Sequence, residues 1–257
     1  MGYECLQLET REGVGHLRFA RPPANVFTPG MVEEVRDAVH ALRDDADVGV
    51  VVVGSAVERY FSSGADLGAF DSLSAQEIRD WAALCHEVVR LLRGAPKPFV
   101  AAIHGTAVGG GLEIALHCDV RFAAQDARMG LPEVNLGFIP PFGGTQALAR
   151  LLGRPRALRF LYDGALLPAD RARELGLVDE LTAPEALQET AHAYAAGLAG
   201  KPREALAAIR RCITEGGSLD FESGLAVELE EAGRLAGTDD FRAALRAFLQ
   251  RRAGKAE

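Results

Sequence analysis

Along this chain, short apolar runs rich in β-branched residues alternate with longer stretches in which apolar positions recur every three or four residues. Val14 to Phe19, Val48 to Val53, Phe99 to Ile103 and Val120 to Ala123 are the short runs, and they predict strands. Pro29 to Arg43 and Ala75 to Leu92 carry the helical period and predict helices. Strands alternating with helices predict an α/β fold in which helices cover a sheet. Beyond about Gly200 the pattern becomes helical only. There Leu225, Leu229, Ala232 and Leu235 form one apolar stripe, and Phe241, Ala244, Leu245, Phe248 and Leu249 form another. The predicted organisation is therefore a strand-bearing core over residues 1–200 followed by a helical region over 201–257. No internal sequence repeat is evident.

Glycine and lone carboxylates interrupt this pattern at three places. His104-Gly105-Thr106-Ala107-Val108-Gly109-Gly110-Gly111-Leu112-Glu113 is an apolar strand end that breaks into glycines and opens an apolar helix. Such a helix start offers unpaired N–H groups and the positive end of the dipole to a developing anion. Glu113, set among apolar residues, should be desolvated and its pKa raised, which suits acid/base work near neutral pH. The same residues also suit a structural role, with Glu113 completing the helix start and the glycines allowing tight packing. Arg59-Tyr60-Phe61-Ser62-Ser63-Gly64-Ala65-Asp66-Leu67 repeats the strand, small-residue loop and helix order. It reads either as a second set of anion-facing N–H groups or as an ordinary loop with Asp66 as an N-cap. The third place is Met129-Gly130-Leu131-Pro132-Glu133, where another lone Glu enters an apolar loop punctuated by Gly and Pro that runs on to Gly143-Gly144-Thr145-Gln146.

Composition narrows the partners. With 36 acidic against 28 basic residues and a formal charge of −8, a nucleic-acid partner is disfavoured, because its phosphates call for a basic face. The four cysteines, Cys5, Cys85, Cys118 and Cys212, have neither paired nor metal-like spacing, which predicts a reducing, cytoplasmic setting. The histidines are scattered, and His104 and His117 read as structural groups beside the glycine-opened helix. No Gly-x-Ser-x-Gly elbow, P-loop or dinucleotide fingerprint is present. Neither a secretory signal nor an apolar run long enough to span a bilayer is seen, so no membrane association is expected.

Taken in order and spacing, the Phe61-Ser62-Ser63-Gly64-Ala65-Asp66-Leu67, Gly109-Gly110-Gly111-Leu112-Glu113, Leu131-Pro132-Glu133, Gly143-Gly144-Thr145-Gln146 and Ala169-to-Asp179 segments resemble the enoyl-CoA hydratase/isomerase (crotonase) superfamily over almost the whole chain. The resemblance implies a crotonase-like spiral of ββα units with a C-terminal helical trimerisation region. It implies an acyl-CoA thioester as substrate and no further cofactor, coenzyme A being part of the substrate. It places the backbone N–H groups of Ala65 and Gly110 at the oxyanion hole, and Glu113 and Glu133 at the two catalytic glutamates of the hydratases. In that assignment Glu113 activates water and Glu133 exchanges the proton at the α-carbon. Substrate contacts are expected from Ser63, Gly64, Asp66, Leu67, Gly109, Pro132, Pro141 and Phe142. The presence of both glutamates favours hydration. An isomerase, a decarboxylase or a non-catalytic acyl-CoA-binding scaffold are the alternatives.

Two segments depart from the family's usual pattern. Pro141 and Phe142 stand where glycine or alanine is more common, and should either stiffen and reshape the acyl pocket or pack Phe142 into the core. In the closing segment Gln250 replaces an acid, and Arg251, Arg252 and Lys255 supply basic groups that suit CoA phosphates or a solvated terminus. In the family the helical region builds a homotrimer, commonly paired as a dimer of trimers, and the same is expected here.

Overall fold

The computed structural model describes residues 2–253, and Lys255 lies outside them. The chain divides into two compact units with the break between Ala199 and Gly200. In the first unit the order is β1 (Leu6–Arg11), β2 (Val14–Phe19), α1 (Pro29–Asp44), β3 (Val50–Ser55), β4 (Tyr60–Ser62), α2 (Leu67–Phe70), α3 (Ala75–Gly94), β5 (Phe99–Ile103), β6 (Thr106–Val108) and α4 (Gly110–Leu116). It continues with β7 (Val120–Ala124), β8 (Arg128–Gly130), a 3-10 turn (Glu133–Leu136), α5 (Gly144–Leu152), α6 (Arg154–Asp163), β9 (Leu167–Pro168), α7 (Ala169–Leu175), β10 (Glu180–Thr182) and α8 (Leu187–Ala199).

Two sheets result. One has the order β1-β2-β3-β5-β7-β10, parallel except for the β1–β2 hairpin, and the other has the order β4-β6-β8-β9. Each of the pairs β3/β4, β5/β6 and β7/β8 gives its first strand to the large sheet and its second to the small one before the chain turns into helix. This is the spiral of ββα units. The large sheet's inner strands are covered on both faces, which explains why Val50 to Val53 and Phe99 to Ile103 are uninterrupted apolar runs. The strand read from Val48 starts two residues later, because Val48 N–H bonds the Asp45 carbonyl and Gly49 N–H the Gly13 carbonyl.

Local signals set the helix starts. Thr28 caps α1 by accepting from Met31 N–H, with Pro29 in the first turn. Ser74 and Glu77 form a reciprocal capping box on α3. The second unit contains α9 (Arg203–Thr214), α10 (Phe221–Ala236) and α11 (Asp239–Ala253). There Glu231 is buried between Arg211 and Arg234, with contacts of 2.7 and 2.8 Å. By contrast the apolar stripes read from sequence are open: Leu229 is 76% exposed, and Leu225, Phe241, Leu245, Phe248 and Leu249 are all exposed.

One buried polar pair ties α8 to the large sheet. His16 Nε2 and His192 Nδ1 lie 3.0 Å apart, and His192 Nε2 lies 2.8 Å from the Glu12 carboxylate in the β1–β2 turn. Arg11 Nε also donates toward His192 Nε2 at 3.2 Å, so the ring pair is tied to both an acidic and a basic side chain of the β1–β2 hairpin. Burial, then the nearby Arg18 and His192, lower the His16 pKa to about 4, with Glu9 opposing. The unfolded imidazole titrates near 6.5, so between those values the folded state binds fewer protons than the unfolded chain. Stability from this site is complete above pH 6.5 and falls as pH drops toward 4, by up to about 1.4 kcal/mol per pH unit. Chemical unfolding across that window should show this acid slope in the parent and a flatter one in His16→Phe.

Candidate active site

The three glycine and carboxylate motifs all follow strands of the small sheet. Ser63 to Asp66 follow β4, Gly109 to Glu113 follow β6, and Leu131 to Glu133 follow β8. Because those strands are parallel neighbours, their carboxyl ends bring the three segments together at one edge.

The first segment is held by the β2–α1 connection. Asn25 is fully buried with φ +52; its side chain accepts from Arg21 N–H at 2.8 Å and donates to Ser55 Oγ at 2.8 Å and the Phe61 carbonyl at 3.0 Å. Ser62 Oγ donates back to the Asn25 carbonyl at 2.7 Å. Phe27 then bridges Ala65 in parallel register: Phe27 N–H bonds the Gly64 carbonyl, and Asp66 N–H bonds the Phe27 carbonyl. That pattern uses the neighbours' groups and turns the Ala65 N–H away from Phe27. Ser63 is engaged with the Ala24 carbonyl through both its N–H and its hydroxyl. Asp66 does cap α2, accepting from Ala69 N–H, and it also faces Arg21 at 3.8 Å; Leu67 beside it is exposed.

The second segment lies directly against the first. A Cβ on Gly64 (φ +89) would come 3.2 Å from the Val108 carbonyl oxygen, and one on Gly111 would meet Ser62 Cβ at 2.5 Å. Gly109, at φ +53, starts α4, and its carbonyl takes the first helical bond from Glu113 N–H. The N–H of Gly110 is one of the helix's unpaired first-turn donors. The rings of Phe27 and Phe142 lie beneath Gly110, 3.4 and 3.5 Å from the position of a Cβ there.

Both glutamates reach this edge. Glu113 is fully buried; Oε1 accepts from Gly144 N–H at 2.7 Å, and the buried Oε2 has no partner among the described residues. Its pKa is pushed up to about 8, first by desolvation and second by the Glu133 charge, while the Gly144 and Phe142 backbone N–H groups pull it down. Glu133 opens the 3-10 turn after Pro132, with Oε1 against Gly109 and Oε2 likewise buried and unpartnered. Desolvation raises its pKa as well. Two carboxyl groups held above their usual range beside unpaired backbone N–H groups can pass protons next to a developing oxyanion.

This structure places Phe142 in the core. Its ring is fully buried and tilted against Phe27 with centroids 6.0 Å apart, because an aromatic partner and the space left by Gly110 favour the interior. Any influence of Phe142 on an acyl group therefore passes through Gly110 and not through a ligand-facing wall. Pro141 is half-buried. Arg251 and Arg252 are exposed on α11. His104 and His117 each face a backbone carbonyl, of Val57 at 2.9 Å and of Phe142 at 3.1 Å. Sequence reasoning missed Asn25 altogether. Its only signal was a small amide, a residue type that tolerates left-handed backbone, two residues after the Pro22-Pro23 pair.

The sequence profile of the family described as enoyl-CoA hydratase/isomerase matches residues 9–256. The chain belongs to that family. It is similar to the crotonyl-CoA hydratase of Syntrophomonas wolfei, with 36% identity over 253 residues covering 98% of this chain and 97% of the relative. It is also similar to the short-chain-enoyl-CoA hydratase of Clostridium acetobutylicum, with 34% identity covering 95% and 94%. Among solved structures, the enoyl-CoA hydratase of Bacillus anthracis superposes with a TM-score of 0.92 at 30% identity, covering 96% of this chain and 97% of that one. The crotonase-type spiral is thus the fold of a hydratase/isomerase family member.

The glycines of this site are not equivalent. At Gly110 a Cβ meets only ring atoms at ordinary contact distance, whereas at Gly111 it collides with Ser62. Gly110→Ala should stay within about 1 kcal/mol of the parent, whereas Gly111→Ala should lose roughly 1–3 kcal/mol by overpacking. Thermal unfolding of the two variants side by side checks this order.

Proposed function

We propose that this protein is an enoyl-CoA hydratase, adding water across the 2,3 double bond of a trans-2-enoyl-CoA to give the 3-hydroxyacyl-CoA. The observation that carries the reading is Glu113, a buried carboxyl group with one oxygen held by Gly144 and the other without a partner among the described residues, under the charge of the half-buried Glu133. The named activities of the similar hydratases support it.

The thioester carbonyl oxygen is received by the N–H groups of Ala65 and Gly110. Polarisation by these donors withdraws electron density from C3. With Glu133 protonated, the charge that most disfavours ionisation of Glu113 after burial is gone. In the proposed division of labour Glu113 acts as the anion, held by the Gly144 N–H, and Glu133 carries the proton. Its carboxylate takes a proton from water as the water oxygen bonds to C3. The electron pair moves to the thioester oxygen, giving an enolate gripped by the two amides. Glu133 then delivers its proton to C2 and the carbonyl re-forms. Transfer of the proton held by Glu113 back to Glu133, through solvent, restores the pair, so one water is added overall. No cofactor beyond the coenzyme A of the substrate is needed.

Ser63, Gly64, Asp66, Leu67, Gly109 and Pro132 frame the thioester end, with Pro141 and the buried Phe142 stiffening the floor. On the helical unit, the exposed Arg251 and Arg252 are assigned to CoA phosphates, and the exposed apolar faces of α10 and α11 to homotrimer assembly, with a dimer of trimers as the next level. The four cysteines form no disulfide, which fits a cytoplasmic setting. No helix among the described residues is long and apolar enough to cross a membrane.

Mixing the protein with a short trans-2-enoyl-CoA should bleach the ultraviolet absorbance of the conjugated thioester and yield a product heavier by one water. Glu113→Gln and Glu133→Gln should each lower kcat by at least about 100-fold; variants as fast as the parent would refute the assignment. A shifted double bond or loss of carbon dioxide in the product would indicate isomerase or decarboxylase chemistry instead. Sedimentation at micromolar concentration should give a mass of three chains or a multiple of three, and a monomer would overturn the assembly.

A further inference from the structure

Helix α4 carries a second polar side chain one turn beyond Glu113. His117 lies four residues on, so both point from the same face, and both reach the Phe142 to Gly144 segment. Glu113 Oε1 receives the Gly144 N–H at 2.7 Å, and His117 Nε2 lies 3.1 Å from the Phe142 carbonyl. A carbonyl only accepts, so Nε2 carries the hydrogen and His117 is the donor. The intervening Gly143 is left-handed at φ +88, and a Cβ there would come 2.7 Å from His117 Nε2. On Gly144 a Cβ would come 2.8 Å from Glu113 Oε1. The two glycines are thus fitted around two side chains of one helix, one glycine to each.

We propose that His117 is a positioning residue for the catalytic carboxylate: by holding the Phe142 carbonyl it fixes the Phe142–Gly144 turn so that the Gly144 peptide N–H stays on Glu113. This rests on the role given to Glu113 under the hydratase reading. The peptide segment has one anchor on each side of Gly143. Without the donor at His117, the Phe142 carbonyl is left buried and unpaired, and the turn is free to rotate its Gly144 N–H away from the carboxylate. The imidazole is suited to the task because it stays neutral. Burial holds His117 down to about pH 4, with Arg93 and His86 of α3 adding to the effect and the Phe142 bond opposing it. The groups facing Glu113 are Glu133 and, from α3, Cys85. Both backbone donors that pull the Glu113 pKa down, the Gly144 N–H and the Phe142 N–H, belong to the segment that His117 holds.

The test compares His117→Leu, which removes the donor, with His117→Gln, whose amide nitrogen can replace Nε2. Two readouts are taken: the acid limb of the pH–kcat profile for a short enoyl-CoA, and the ionisation of Glu113 followed through its carboxyl carbon by carbon-13 NMR with Glu113→Gln identifying the signal. In His117→Leu, the acid limb and the Glu113 titration should both move up by about one pH unit, with kcat lowered more than KM is raised. His117→Gln should recover most of both. A lower melting temperature in His117→Leu with an unmoved limb and titration would reduce His117 to a core-filling group and overturn the proposal. The NMR titration requires no turnover. If the parent fails to hydrate any enoyl-CoA, the hydratase reading falls, and the shift of Glu113 still decides whether His117 positions it.

Discussion

The whole site depends on the close approach of two stretches of chain, residues 62–64 and 108–111. Gly64 lies against the Val108 and Gly109 main chain, and Gly111 against the side chain and carbonyl of Ser62, where a Cβ would collide. The contact brings the loop after β4 against the start of α4, from which Glu113 emerges one turn later. The hydrogen-bonded loop around Asn25 holds one stretch from the β2 side, and the Phe27 and Phe142 rings support the other from below. A hydrophobic floor under polar donors keeps water from competing for them from within.

The two carboxyl groups extend the same logic into electrostatics. Glu113 comes from the helix after β6 and Glu133 from the turn after β8, so successive windings of the spiral deliver one acid each to a shared edge. Burial pushes the pKa of both upward. The Gly144 N–H bonds Glu113 Oε1 and works against that rise, so the Gly143–Gly144 turn tunes one of the pair although it contributes no side chain.

Much of this was legible in the sequence, and the reasons are specific. The strand Phe99–Ile103 matches its apolar run at both ends, since a parallel strand buried on both faces has no polar position to blur it; Val14–Phe19 keeps its predicted bounds although His16 and Arg18 interrupt its apolar pattern. Three glycines after an apolar strand end marked the start of α4, and an isolated Glu in each of two apolar segments marked the carboxyl pair. Phe142 was harder to place. An aromatic beside a glycine pair reads equally as pocket wall or core, and only the position of Phe27, more than a hundred residues earlier, decides for the core. Asn25 was invisible for a similar reason: its partners Ser55 and Phe61 are assembled by the tertiary fold, and no local period announces them. The exposed stripes of α10 and α11 were read correctly as apolar; the sequence pattern alone does not say which surface covers them.

An anion cradle made of main-chain amides, as proposed for Ala65 and Gly110, would have an unusual relation to heredity. No codon specifies the donor itself, because nineteen of the twenty residue types present an N–H at that point of the chain and only proline lacks one. What the genome must preserve is emptiness: the missing Cβ atoms that let residues 62–64 and 108–111 approach. Losses of function would arise here mainly by the gain of atoms.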